Sequence, residues 1–243
     1  MNRNLILLAA LLFSNVLAAQ QNQMPGLSRF ADLNVAIGSS EETVSLSYVR
    51  NWQTGKKRKL EMGIGGRLTA YSGVNREFYT APARLARTTT IPFLVVFSGH
   101  EWQNTDTLTV QKAFTVSLNI TANFGYRFSS KWYGGINIDL AGLTAGKTSS
   151  ATLVSNGKQS TDHNTKPSRF NLLLTGDNDY GSLNSEFFAR YRIAARWQLK
   201  ALYQFYFAEY RTQTARQIAP DGTVVDRFRN KVNAFGIGLS YDL

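Results

Sequence analysis

The chain has 243 residues, 43% of them hydrophobic, with a formal net charge of +11 and no cysteine. The lack of cysteine excludes a thiol-linked lipid anchor, a disulfide framework and thiolate metal sites. The basic residues form no helical stripe and are mixed with Asp and Glu, which favours an anionic membrane surface over nucleic acid as the partner. The length fits one domain, because all-β barrels often use this many residues without dividing.

Residues 1–19 predict a cleaved signal peptide, with Arg3 before an apolar stretch over 5–13 and small residues at Ala18 and Ala19. The apolar stretch is shorter than the roughly 20 residues that a membrane-spanning helix needs. A buried N-terminal helix of a soluble protein is the less favoured alternative, since a polar lead over 20–30 follows at once. We therefore expect export, and a single barrel domain over 31–243.

Alternation with a period of two is the main signal along the rest of the chain. From Phe114 to Phe128 every even position is apolar and every odd position is polar, small or charged, and 234–243 repeats the pattern. A strand that crosses a bilayer in a barrel needs about 9–11 residues, with lipid on one face and the lumen on the other. An apolar face this long favours a membrane barrel over a soluble sandwich.

The same pattern predicts eight strands, and the links between them alternate in length. The strands are expected at 31–39, 43–52, 60–71, 113–128, 132–143, 183–193, 196–211 and 229–243. Except for the short link 40–42, long and short links alternate as in bacterial barrels, which have periplasmic turns and extracellular loops. We therefore predict an all-β fold, an antiparallel transmembrane up-and-down barrel of about eight strands. Ten strands stay open, because the apolar loop runs 91–97 and 170–174 can themselves pair.

Aromatic residues cluster beside the short links and predict a periplasmic girdle. The expected members are Tyr48, Trp52, Tyr126, Phe128, Trp132, Tyr133, Tyr191, Trp197 and Tyr241. Tyr71, Tyr206 and Tyr210 are expected near the outer rim. The alternative is that aromatics are simply common in strands.

The signal segment, the alternating strands and the last six residues together resemble the outer-membrane β-barrel family of Gram-negative bacteria. The ending carries Gly238, an aromatic third-last residue, Tyr241, and an apolar last residue, Leu243. It is similar to that family's C-terminal assembly signal, although the last residue there is phenylalanine. The resemblance implies an outer-membrane location and recognition by the barrel-assembly machinery.

Charged residues recur on the inward face of the predicted strands. The hypothesis is an ion-pair network that closes a narrow lumen, because an isolated charge there is costly to desolvate. Its expected members are Arg67, Asp139, Glu186, Arg190, Lys200 and Arg127. The less favoured interpretation of the same residues is a proton or ion path.

Catalytic and metal-binding patterns are weak. The two histidines, His100 and His163, fall in predicted loops, and neither His-x-x-x-His spacing nor a calcium-binding loop occurs. We predict no catalytic residues, no metal and no cofactor, and so no enzyme.

Two further loop features point to the cell envelope. Arginine pairs well with phosphate, so Arg211, Arg216, Arg227 and Arg229 are candidate lipopolysaccharide contacts. The apolar runs 91–97 and 170–174 are expected to pack over the barrel mouth or to extend a hairpin above the membrane, with an apolar binding mouth or partner interface as the alternative.

The expected function is a structural or surface-interaction role of a largely closed barrel, with outer-membrane lipid and lipopolysaccharide as partners. The two alternatives are a narrow channel or conduit for small molecules, apolar ones included, and a lipid-modifying enzyme. The sequence identifies neither a ligand nor an oligomeric state.

Overall fold

A computed structural model describes residues 26–91 and 94–243, so the expected signal peptide lies outside the described residues. The strands are β1 (Leu27–Ile37), β2 (Glu41–Thr54), β3 (Leu60–Thr80), β4 (Thr107–Arg127), β5 (Trp132–Gly146), β6 (Ser149–Ser155), β7 (Lys158–Pro167), β8 (Phe170–Leu172), β9 (Leu183–Arg192), β10 (Trp197–Arg211), β11 (Gln217–Ile218), β12 (Val224–Val225) and β13 (Arg227–Asp242). A short helix α1 (Ala83–Ala86) and two 3-10 turns, Leu94–Phe97 and Trp102–Asn104, lie between β3 and β4. Strand β1 begins at Leu27, before the predicted start of the first strand at Ala31.

Eight strands close a ring, which we call the lower ring. Its antiparallel pairings run in the order β1, β2, β3, β4, β5, β9, β10, β13 and back to β1. These strands correspond to the eight predicted segments. The prediction of about eight strands holds for this ring, whereas the whole sheet contains eleven.

A second ring of six strands, the upper ring, lies above the lower ring at the end opposite to the start of β1 and the end of β13. Here β3 pairs with β4, β4 with β6, β6 with β7, β7 with β10, β10 with β13, and β13 returns to β3. The hairpin of β6 and β7 lies in the link predicted as a long loop, which is therefore partly sheet. It escaped prediction because its Ser- and Thr-rich sequence lacks an apolar stripe.

The wall narrows because β1 and β2 stop below the upper ring. The short link between them turns at Gly38, whose N–H donates to the Glu41 carbonyl (2.8 Å). Above this turn β3 meets β13 directly, with Tyr79 opposite Arg229 and Thr80 opposite Phe228. The exceptional short link is thus the point where two strands leave the wall. Since barrel diameter falls with strand number, the upper ring has room only for packed side chains.

Alternation along the lower ring places apolar residues outside and polar residues inside, as predicted. Exposed residues on the outer face include Leu33, Leu46, Ile64, Leu118, Ile120, Leu199, Phe235 and Ile237. Buried residues on the inner face include Asn34, Ser45, Thr69, Ser117, Asn119, Thr121, Asn123 and Gln204. Among the described residues, no helix is long and apolar enough to cross a membrane.

Several aromatic positions differ from prediction. Tyr71, Tyr206 and Tyr210, expected at the outer rim, are wholly buried, and Tyr133 is only 4% exposed. Tyr133 faces the interior, where Asn51 and Asn123 donate hydrogen bonds to its hydroxyl (3.4 and 3.2 Å). The other predicted girdle residues lie at the end with the short turns, and two close pairs there are Trp132 with Tyr191 and Trp197 with Tyr241.

Candidate functional site

The centre of the lower ring holds a chain of buried ion pairs. Arg67 of β3 contacts Asp139 of β5 (2.7 Å) and Glu186 of β9 (2.8 Å). The Arg67 guanidinium also donates to the Asn184 backbone carbonyl (2.8 Å), and Asn119 donates to the second oxygen of Asp139 (2.6 Å). The polar atoms of this part of the lumen therefore contact side chains and backbone of four different strands.

The chain of ion pairs continues toward the turn end. Lys200 of β10 contacts Glu186 (2.8 Å) and Asp32 of β1 (3.0 Å), and Arg190 of β9 contacts the same Asp32 oxygen (2.7 Å). The complete order is Asp139, Arg67, Glu186, Lys200, Asp32 and Arg190. Three cations face three carboxylates, so the network, which we call the lumen network, is formally neutral. An isolated charge would be costly to remove from water, and pairing with an opposite charge offsets part of that cost.

Aromatic rings surround the terminal arginine of the lumen network. The guanidinium carbon of Arg190 lies 3.6 Å from the ring centroid of Phe30, 4.6 Å from that of Phe188 and 5.4 Å from that of Tyr133. A cation in contact with ring faces is stabilised by their quadrupoles, more strongly where water is excluded. The aromatic residues thus fill the lumen and stabilise its charge at once.

The structure brings together five of the six predicted network residues. The sixth, Arg127, lies nearer the turns and pairs with Glu61 (2.7 Å), which also accepts hydrogen bonds from Ser28 (2.7 Å) and Gln53 (3.2 Å). Sequence reasoning missed Asp32, which links two cations. Its position could have been found, because Asp32 shares the even, inward phase of β1 with Asn34.

The upper ring is filled mainly by apolar side chains, although Asp162 and Thr165 of β7 are also buried. Its large, fully buried apolar residues, which we call the apolar plug, are Phe78, Leu108, Val110, Leu153, Tyr210 and Phe228. Phe78 packs edge-on against Tyr210, with ring centroids 5.2 Å apart. Directly below, Tyr71 stacks on Tyr206, also at 5.2 Å. The lumen is therefore occupied at two heights, by paired charges in the lower ring and by apolar packing in the upper ring.

At Asn75 the alternation of β3 changes phase, which lets the strand place side chains inside both rings. The inward residues of β3 are odd-numbered up to Gly73 and even-numbered from Phe78 on. The change occurs at Asn75, whose φ of 52 is in the left-handed region that asparagine tolerates. Without that break Phe78 would point out of the ring.

The four arginines predicted to contact lipopolysaccharide are all engaged with carboxylates. Arg211 and Arg216 are partly exposed and contact Asp226 at 2.6 and 3.7 Å. Arg227 contacts Glu209 (2.7 Å), which Arg229 also contacts at 3.3 Å. Arg229 is only 3% exposed, because the loop before β9 covers it. The last two arginines therefore serve internal pairing and do not face a lipid surface.

The covering loop is held by several cations. Asp177 contacts Arg87 (2.7 Å), Lys231 (2.8 Å) and Arg229 (3.4 Å). Burial opposes ionisation of Asp177, but Lys231, Arg87 and Arg229 outweigh it and lower the pKa of that carboxyl. The loop is thus tied to β13 and to the segment after α1 by a stable carboxylate.

A second loop is held by Asp162 of β7. Its carboxylate accepts backbone N–H groups of Gln213 (2.6 Å), Thr214 (2.7 Å) and Ala215 (3.2 Å) through one oxygen, and of Asn164 (2.8 Å) through the other. Burial opposes ionisation, but these backbone donors lower the pKa of Asp162. A single carboxylate therefore fixes the start of the loop between β10 and β13.

The residues predicted as an assembly signal lie on the strand that closes the lower ring. Gly238 pairs with Asn34 of β1 and with Lys200 of β10. Tyr241 packs against Trp197, and the Leu243 N–H donates to the Arg29 carbonyl (3.0 Å). These contacts give the ending a structural place beside β1; its recognition by assembly machinery stays a prediction.

The histidines lie in the upper part of the structure. His100 contacts Thr105 Oγ1 (3.1 Å) and packs against Trp102, and burial together with Arg87 and Lys231 lowers its pKa. His163 Nδ1 lies 3.2 Å from Ser150 Oγ at an exposed position. A catalytic triad needs an orienting carboxylate, and the neighbouring Asp162 faces the interior.

The described residues at the ends of the two apolar loop runs are exposed and do not pack over the barrel mouth. In the first run Phe97 is 87% exposed, and the second run begins with Phe170 at 73%. Phe170–Leu172 is strand β8, which pairs with Leu143 to Ala141 of β5 and so adds its apolar side chains to the outer face. Among residues 26–91 and 94–243, no group of three His, Cys, Asp or Glu side chains could hold a metal ion.

Comparison with known proteins gives structural neighbours alone. No protein-family model and no curated protein matches the chain. Neisserial surface protein A is 13% identical with a TM-score of 0.35, covering 90% of this chain and 99% of its own. Ail, the attachment invasion locus protein of Yersinia pestis, is 11% identical with a TM-score of 0.34, covering 90% of this chain and all 100% of its own. A de novo designed transmembrane β-barrel is 10% identical, again with a TM-score of 0.34, covering 92% of this chain and 100% of its own. Similarities of this size carry no inference about function.

Proposed function

We propose that this chain is a small integral outer-membrane β-barrel protein whose lumen is closed to solutes and whose role in the envelope is structural or surface-interacting. The observation that carries the proposal is the double closure of the lumen, by the neutral lumen network and by the apolar plug. A water-filled channel needs a polar, open interior along its whole length. Packing at two independent heights opposes that function.

The outer face supports the membrane part of the proposal. The closed lower ring pairs each of its strands with a neighbour on both sides, as the lack of water in a bilayer requires. Leu118, Ile120 and Ile237 are among the apolar residues that face outward, at 59 to 74% exposure, and such a surface is costly in water. Tyr126 and Phe128, near a short turn, fit the aromatic girdle of the periplasmic side.

The first test is heat-modifiable gel migration of outer-membrane fractions. A folded barrel resists the detergent until it is boiled, so we expect a shifted band in unboiled samples. A protein found in the soluble fraction without a shift would refute the membrane assignment.

The second test is conductance of the purified protein in planar bilayers, with swelling of proteoliposomes as an independent measure. We expect no reproducible single-channel steps in the wild type. Arg67→Ala is also expected to be silent, since the apolar plug remains, and Arg50→Ala, at an outward and exposed position, is its control. Wild-type steps that change with Arg67→Ala and not with Arg50→Ala would overturn the closed-lumen proposal.

A further inference from the structure

A cleft opens on the outer face of the wall where β5 passes into β6. Its volume is about 660 Å³, within the range of small-ligand sites. Its lining includes Leu68, Leu118, Leu143, Lys166 and Arg169. It lies at the end of the lower ring that is opposite to the start of β1 and the end of β13.

The floor of the cleft is apolar. Leu68, Leu118 and Leu143 are 44, 61 and 58% exposed, and they continue the outward apolar face of the lower ring. A polar ligand would leave this apolar surface exposed to water, which is unfavourable, whereas an acyl chain would cover it. The floor is therefore suited to the hydrocarbon part of an amphiphile.

The rim of the cleft is basic. Lys166 and Arg169 line it, and Lys147 lies between the lining residues Gly146 and Thr148. The Lys147 ammonium is 5.8 Å from the ring centroid of Phe114, at the outer end of the apolar face. The Arg169 carbonyl accepts the Thr144 N–H (2.7 Å), which fixes this part of the rim against β5.

The rim cations differ from the four arginines considered above. Arg211, Arg216, Arg227 and Arg229 each contact a carboxylate. Within the part of the chain that the structure describes, none of the three rim cations forms such an ion pair. Three uncompensated positive charges above an apolar floor are complementary to a phosphorylated lipid.

We propose that this cleft binds lipid A, the phosphorylated and multiply acylated glycolipid of the outer leaflet, with acyl chains on the leucine floor and phosphate on Lys147, Lys166 and Arg169. This inference rests on the proposed function, which places the loop end in the outer leaflet. Three cations around one cleft suit a head group with several phosphates better than the single phosphate of a phospholipid. The site thus differs from the arginines that the sequence suggested.

The test compares two triple variants of the folded protein that lose equal charge and equal side-chain types. Lys147→Gln, Lys166→Gln and Arg169→Gln remove the rim, and Lys56→Gln, Lys57→Gln and Arg58→Gln remove three exposed cations from a turn at the opposite end. Native mass spectrometry measures the retention of lipid A, dephosphorylated lipid A and phosphatidylglycerol. We expect the rim variant to bind lipid A about 100-fold more weakly, and the turn variant to bind it as the wild type does.

Each outcome bears on one of the two proposals. Unchanged lipid A binding by the rim variant, or an equal loss in both variants, overturns the lipid A site while leaving a heat-modifiable barrel. Equal affinity of the wild type for dephosphorylated lipid A or for phosphatidylglycerol also overturns it. A wild type that neither inserts into bilayers nor shifts on heating refutes the proposed function and the site with it.

Discussion

Asp32 offers the sharpest test of the lumen network, because its carboxylate is shared by two cations. Asp32→Asn keeps the shape of the side chain but removes the negative charge from Arg190 (2.7 Å) and Lys200 (3.0 Å). The network then carries one positive charge in excess at a site where Asp32 is only 1% exposed. Breaking one partner out of a buried pair costs about 3–5 kcal/mol, and we expect a loss of that size in the free energy of unfolding.

A second substitution should restore most of this loss. Arg190→Met in the Asp32→Asn background removes the unpaired cation at the end of the network and leaves Asp139, Arg67, Glu186 and Lys200. This remainder is again neutral and keeps its three contacts. Since replacing a whole buried pair is often nearly neutral, we expect the double variant to lie within about 1 kcal/mol of the wild type.

The assay is reversible unfolding in urea from lipid vesicles, followed by tryptophan fluorescence and by heat-modifiable migration. The wild type, the single variants Asp32→Asn and Arg190→Met, and the double variant form a thermodynamic cycle. This cycle isolates the coupling energy between Asp32 and Arg190. An Asp32→Asn variant as stable as the wild type would refute the buried network. A double variant as unstable as Asp32→Asn would refute the charge-balance reasoning.

Three further outcomes are expected. Asp162→Asn should lower the free energy of unfolding by about 2–4 kcal/mol, because the amide N–H groups would face backbone donors. The pKa of Asp162 is lowered in the folded state, so its contribution to stability should be complete above pH about 4 and lost as the pH falls through the lowered pKa. Urea titrations at several pH values measure this dependence. Phe228→Ala should cost about 3–5 kcal/mol in the same assay by leaving a cavity in the apolar plug, and an unchanged midpoint would contradict that packing. Gly125→Ala should destabilise by about 1–3 kcal/mol, because its Cβ would lie 1.9 Å from the Tyr133 hydroxyl, whereas Gly66→Ala, with its nearest neighbour at 3.9 Å, is the matched control.

Much of the lower ring could be predicted from the sequence because a bilayer imposes a strict two-residue alternation on every strand. The same alternation was sufficient to locate Arg67, Glu186 and Lys200 on the inner face. Tyr206 shares the even phase of Lys200 and Gln204, so its inward position also follows from the alternation alone. The prediction of an outer-rim position for this tyrosine was wrong because it rested on the height of the residue along the strand and not on the face to which its side chain points.

The upper ring could not be predicted in this way. Its closure depends on two long-range pairings, Phe228 with Thr80 and Tyr210 with Pro167, which leave no local pattern. The phase change at Asn75 further interrupts the alternation that would have pointed to Phe78 as an interior residue. Glu209 of β10, which pairs with both Arg227 and Arg229, lies opposite Arg229 in the register. The contact of Arg229 with Asp177, in contrast, depends on a loop that crosses the outside of the wall, and loop paths have no periodicity.

The early end of β1 and β2 has a consequence for the order in which this barrel can close. The seam between the two ends of the chain consists of β1 and β13 and spans eight residue pairs, from Phe30 with Asp242 to Ile37 with Phe235. Above the seam, β3 and β13 already complete a ring that does not include the N-terminal hairpin. The topology therefore allows the upper ring to close while β1 and β13 are still unpaired. In that order of assembly, β1 and β2 join the wall last.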